Sequence, residues 1–219
     1  MVKNPFSLQA LKKRRRTWWR VLGERIGALV SAVWRWLVKA YNHLSGELKR
    51  RAFMARLHRA DIILASPRAL SLSPGPLIYR LVLRARYVHS MLYLGDGKII
   101  HTTTRSGVVI GPLPRRIYKR DRYTILRVPN LRPELGWQIV REALKFKGRK
   151  LDEAGLLTNV PARLLGLRRP LLRLERNRTW CSKLIQQAYS ASGIDLVPQT
   201  RVETITSEDL SRSPLLEKV

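Results

Sequence analysis

From Trp18 to Leu48 the chain repeats apolar side chains at intervals of three and four. Trp18, Leu22, Ile26, Leu29, Val30, Val33, Leu37, Tyr41, Leu44 and Leu48 make one stripe, while Arg20, Glu24, Ser31, Arg35 and Asn42 fall opposite. That period belongs to an amphipathic α-helix and not to a strand, whose side chains alternate by two. A long helix of this kind takes up the first part of the chain, so the globular core must come from the residues C-terminal to it. A length of 219 residues suffices for one core plus an appendage and falls short of two domains of average size. The expected division is a helical extension over residues 1–58 and one domain over 59–219.

The charge of the extension says what it meets. Fourteen Lys or Arg stand there against Glu24 and Glu47, leaving +12 of a total of +28. A surplus of this size favours phosphate-rich or otherwise anionic partners: a membrane, a cell wall or nucleic acid. Four of the six tryptophans (Trp18, Trp19, Trp34, Trp36) lie in the same segment, a composition suited to a lipid interface or a partner groove. The residue 18–48 stripe equally suits packing on the chain's own domain, a protein partner or a second copy.

The basic start at Lys12 to Arg16 is not followed by the apolar stretch of a secretory signal. The most apolar run, Ile26 to Trp34, is nine residues long, where a membrane span needs about 20. A cytoplasmic or membrane-peripheral protein, or a virion-associated one, is therefore expected. No zinc-ligand spacing and no phosphate-cradling glycine loop is seen, and no cofactor is expected.

Past the extension, Ala60 to Leu64 signals a short strand, and a proline- and serine-rich turn over residues 71–76 leads to a basic helix near residues 77–84. Val88 to Leu94 alternates, Gly95-Asp96-Gly97 signals a tight turn, and residues 98–104 return. Residues 108–110 and 123–128 give further strands, joined by the very basic segment 115–122. Residues 133–146 give a helix ended by Gly148. The Leu/Arg-rich stretch 164–174 reads as a lid, a second surface anchor or a solvated helix with an apolar underside. Residues 180–191 form another helix, and an acidic tail runs from Ile194.

Cys181 is the lone cysteine, so no intrachain disulfide exists and the thiol is either inert core or chemistry. With Thr179 as N-cap, Cys181 enters the first helical turn, where free N–H groups and the positive end of the dipole stabilise a thiolate. Sharing a face with Leu184, Ile185 and Ala188, it also reads as a small buried hydrophobe.

The hairpin decides between these. A thiolate nucleophile needs an imidazole and a polar group to orient it, and His89 and His101 flank the turn. A two-residue loop at 96–97 would place residue 101 opposite residue 92 and separate the histidines onto opposite faces. A three-residue loop over 95–97 places residue 101 opposite Met91, on the side of His89, at a diagonal of roughly 7–8 Å that ring nitrogens can bridge. The second register is expected, because Gly97 allows the left-handed bulge such loops favour.

The order Asp61-Ile62-Ile63, Tyr87-Val88-His89 with a hairpin to His101, Gly148-Arg149-Lys150-Leu151-Asp152, Trp180-Cys181-Ser182, Ser207-Glu208-Asp209-Leu210 and Ser213-Pro214-Leu215-Leu216 resembles the permuted papain-like amidases of the YiiX/YaeF type, within the NlpC-like superfamily. The resemblance covers residues 60–219. It implies an α+β fold in which an antiparallel sheet carries the histidine and packs against a helix carrying the cysteine. It also implies cleavage of an amide or related acyl bond through a thioester. In such proteins, as here, the histidine precedes the cysteine. The closest relatives often carry glutamate at the third polar position, which His101 would fill here.

The expected roles are Cys181 as nucleophile, His89 as base and His101 as the residue that fixes the His89 tautomer. Three functions fit this reading. One is an amidase acting on a peptide or a peptidoglycan stem peptide. A second is a lipid-directed acyl hydrolase or acyltransferase, and the third is a basic structural component of a phage particle carrying a hydrolase fold.

Overall fold

A computed structural model describes residues 8–66, 85–115, 117–118, 122–165, 177–198 and 204–219, with side chains in the first helix described from residue 29 onward. The basic helix expected near 77–84, most of the Leu/Arg stretch 164–174 and part of the segment 115–122 lie outside the described residues. The chain divides into two compact units, Met1–Lys49 and Arg50–Val219.

The first unit consists of helix α1, Leu8–Met54, which ends just inside the second. No helix among the described residues is long and apolar enough to cross a membrane.

The second unit is a mixed α+β structure. Its strands are β1 (Ile62–Ala65), β2 (His89–Gly95), β3 (Lys98–Thr103), β4 (Gly107–Pro112) and β5 (Tyr123–Arg127). Then come α2 (Pro133–Leu144), β6 (Lys150–Leu151), α3 (Glu153–Leu164), β7 (Arg178–Thr179), α4 (Cys181–Ser190), α5 (Ser207–Ser211) and β8 (Glu217–Lys218). Six strands form one sheet in the order β4-β3-β2-β1-β5-β8, and every neighbouring pair is antiparallel.

β1 lies inside this sheet, flanked by β2 and β5 and buried on both faces, which is why its sequence is an unbroken apolar run. Its alternation sorts the core in two. Ile62 and Leu64 join Leu92, Ile100 and Leu126 under α2 and α4, where Ile139, Ala143, Leu184, Ile185 and Ala188 close the layer. Ile63 and Ala65 point the other way with Met91, Tyr93, Ile99 and Ile125, covered by Leu113, Ile117 and the partly buried Phe53, Met54 and Leu57.

The β2–β3 hairpin reaches the expected register by a different route. The tip is a two-residue turn, Asp96-Gly97, with both residues at positive φ (52° and 71°). The ladder then shifts between Tyr93↔Ile99 and Gly95↔Lys98, a bulge that inserts Leu94 and sets Gly95 at φ 101°. Turn and bulge together give Leu92↔Ile100, and continuing that register puts His101 opposite Met91.

Gly107 opens β4 at φ 66°, and a Cβ there would lie 2.1 Å from the Arg149 carbonyl oxygen. The space is used: Val108 N–H donates to that oxygen at 2.8 Å, and Gly148 N–H donates to Val108 O at 3.0 Å. The Gly148–Asp152 segment is thereby fastened to the sheet edge. Its Lys150 and Leu151 pair in parallel with Arg178 and Thr179, the two residues just before Trp180 and Cys181. Thr179 is thus a strand residue and not the helix cap, a correction to the sequence reading: Trp180 occupies the N-cap position without a side-chain cap.

Asp61 closes the far end of β1. At 1% exposure its Oδ1 accepts from Arg127 Nε at 2.8 Å, and its Oδ2 accepts from Arg127 Nη2 at 2.7 Å and from His58 N–H at 2.8 Å. Removing one partner of such a pair strands the other. Asp61→Ala is expected to lower unfolding free energy by about 3–5 kcal/mol, read from urea denaturation. Asp96→Asn removes the exposed charge beside Arg59, keeps a residue type that tolerates the left-handed backbone, and should change it by less than about 1 kcal/mol.

Candidate active site

Cys181 is the first residue of α4, so its N–H has no carbonyl one turn earlier in the helix to accept it. Both neighbours tie this turn to one distant carbonyl: Trp180 Nε1 donates to Ile205 O at 2.8 Å and Ser182 Oγ donates to the same oxygen at 2.9 Å. Trp180 is buried, which fixes the angle at which the helix starts.

Thr206 comes next in the chain. Its side chain accepts from Asp209 N–H while Asp209 accepts from Thr206 N–H, a reciprocal cap that starts α5. The cap sets Ser207 Oγ 4.0 Å from the Cys181 sulfur. The neighbouring residue, Glu208, reaches the other half of the site: its Oε2 accepts from Arg86 N–H at 2.8 Å and from Tyr87 N–H at 3.3 Å, just ahead of β2. One short helix therefore holds both the strand that carries His89 and the surroundings of Cys181.

The structure brings all three sequence-predicted residues together. His89 Nε2 lies 3.1 Å from His101 Nδ1, with the rings edge to face at 5.3 Å between centroids. This engagement leaves His89 Nδ1 for the thiol, whose pKa His89 lowers by its charge and its side-chain hydrogen bonding. The sulfur meets β2 at its end and touches two consecutive residues. The Ser90 N–H and hydroxyl both favour the thiolate, although the fully buried hydroxyl has no partner in hydrogen-bond geometry.

Two opposed effects set the acidity of the thiol. Desolvation by the surrounding protein raises its pKa, although the residue keeps some solvent contact; the charge of His89 and the polar groups of His89 and Ser90 outweigh it. The net result is a pKa of about 6, so Cys181 is a thiolate near neutrality. His101 moves the other way, down to about 4, first because burial penalises its cation and second because His89 stands beside it. With its proton on Nε2, a neutral His101 offers Nδ1 as an acceptor for His89 Nε2–H, the tautomer that turns His89 Nδ1 toward sulfur.

Ser90, Ile205 and Glu208 have no assigned role in the sequence reading. The capping pattern Thr206-Ser207-Glu208-Asp209 was legible and would have located α5. Ile205 acts through its carbonyl and Ser90 partly through its N–H, backbone groups that carry no sequence signature.

A cavity of ≈ 680 Å³ lies elsewhere, at the Asp61 and Tyr93 ends of β1 and β2. It includes none of the three candidate residues, and its Arg127 and Arg59 are already paired with Asp61 and Asp96. Thiol and imidazole geometry, not concavity, locates the site.

In this arrangement Cys181 is expected to react with iodoacetamide at pH 6 about tenfold faster or more than N-acetylcysteine. His89→Ala should bring the rate down toward that of the free thiol, as measured by mass spectrometry of the alkylated chain.

No protein-family model matches the chain, and no curated protein matches it. Among solved structures, the chain is similar to the metalloprotein YiiX from Escherichia coli O157:H7, with a TM-score of 0.54 at 15% identity over 74% of this chain and 96% of that one. Among the described residues, no three His, Cys, Asp or Glu side chains are grouped to hold a metal ion, so no step here is routed through one. The likeness is one of architecture: the chain has a YiiX-like fold.

Proposed function

We propose that the protein is a cysteine hydrolase of the permuted papain-like, NlpC-like kind, cleaving an amide bond through a thioester. The observation that carries this reading is the line formed by Cys181, His89 and His101, with the thiol brought down to about 6 and the third residue kept neutral. A free cysteine serving only as core would have its pKa raised by burial.

The residues support a reaction in two stages. The Cys181 thiolate attacks the amide carbonyl carbon, and the oxygen takes up the negative charge beside the uncommitted Cys181 N–H. The tetrahedral intermediate collapses as the C–N bond breaks, and His89 gives its Nδ1 proton to the departing amine. A thioester remains on Cys181. Water then adds to the thioester while the same nitrogen takes its proton, and the acid leaves as the C–S bond breaks. Throughout, His101 Nδ1 accepts the His89 Nε2–H bond and holds the ring in place.

A peptide or peptidoglycan stem peptide is the substrate class proposed. A second reading, acyl transfer from a lipid ester, draws on the exposed apolar residues of α1. Muropeptide and phospholipid hydrolysis assays separate the two.

In the active assay Cys181→Ala is expected to lose about 10³-fold or more. His101→Ala is expected to lose about 10²-fold, because it positions His89 without touching substrate. Activity should fall on the acid side through pH 6 as Cys181 takes up its proton. Unchanged turnover in Cys181→Ala would refute the assignment.

A further inference from the structure

We infer that α1 lies along an anionic lipid surface, with its apolar stripe in the headgroup and acyl boundary and its basic residues among the headgroups. The inference is independent of the chemistry at Cys181.

Val30, Val33, Leu37, Tyr41, Leu44 and Leu48 are all substantially exposed, from 48% at Leu37 to 72% at Tyr41. Trp34 and Trp36 beside them are 67% and 66% exposed. An apolar face of this size requires a partner, and three features select which one.

The first is the period. These six positions recur at intervals of three and four over eighteen residues, so they keep one side of α1 for about 27 Å. A plane complements a stripe of that length.

The second is charge. Residues 1–58 carry +12, including five consecutive cations from Lys12 to Arg16. A second copy would bring an equal charge against it, whereas anionic headgroups neutralise it. Arg35 and Lys39 fall on the side away from the stripe, as an interfacial helix requires.

The third is composition. A phosphate backbone would use the cations and leave the apolar face in water, while a bilayer interface uses both and accommodates tryptophan. With no helix apolar enough to cross the bilayer among the described residues, α1 lies on the surface and does not span it.

The test uses the full chain carrying Cys181→Ala, so that hydrolysis cannot alter the vesicles. Flotation with phosphatidylcholine vesicles containing about 30% phosphatidylglycerol should retain about tenfold more protein than pure phosphatidylcholine. Brominated acyl chains should quench tryptophan emission, and Trp34→Phe with Trp36→Phe should reduce that quenching. Val33→Asp with Leu37→Asp should cut flotation about tenfold or more, with circular dichroism confirming that the helix remains.

Equal retention on both vesicle types, or flotation unchanged by the stripe substitutions, would overturn the inference. So would retention on duplex DNA without vesicle binding, or a dimer in sedimentation velocity that the stripe substitutions dissociate without any vesicle binding. The vesicle comparison and the quenching by brominated chains before any tryptophan is replaced are made on an unaltered α1, so they stand even if a stripe variant fails to fold.

Discussion

The second unit is organised around the packing of α4 on the sheet. Leu184, Ile185 and Ala188 bury against Leu92, Ile100 and the β1 residues Ile62 and Leu64, and Tyr189 sends its hydroxyl to Ala60 O at 2.6 Å. That layer fixes where the helix axis runs. The double bond to Ile205 O then fixes where the helix begins. Cys181 is placed by both, at the end of β2 and against His89. Without that apolar layer the sulfur and the imidazole, distant in the chain, would have no reason to meet.

Electrostatics then use the geometry. A thiol in a desolvated place would ordinarily hold its proton; here His89 and the polar groups of Ser90 reverse the balance. The reversal rests first on His89. Burial keeps His101 neutral, with a pKa of about 4, so it stands beside His89 as a neutral partner and not as a competing cation. The same burial that would weaken a lone thiolate thus serves it through the third residue.

Much of this was legible in the sequence, and what was not has physical reasons. The helix over α1, the hairpin and the helix beginning at Cys181 follow from period and turn residues. The His101 register was reached in the sequence through a three-residue loop, whereas the chain uses a two-residue turn and a bulge at Leu94 and Gly95. Different local geometries give the same pairing, so the conclusion was less sensitive than its premise. Thr179 looked like a cap because its side chain is of the capping type, but pairing of β7 with β6 claimed its backbone. Helix α3 has no counterpart in the sequence reading: Pro161, a residue type that usually ends helices, sits within it, and Asp152 starts it by accepting from Gly155 N–H at 2.9 Å. The Gly148–Asp152 motif was visible as a resemblance, yet its purpose appears only in three dimensions: it joins the edge of the sheet to the strand that delivers Cys181.

The central claim is that Cys181 is a thiolate because His89 and Ser90 make it one. As the chain has a single cysteine, the difference in absorbance near 240 nm between the wild type and Cys181→Ser reports that one group across pH. A transition centred at about pH 6 is predicted. A transition in the ordinary thiol range, about 8.5, would contradict the account.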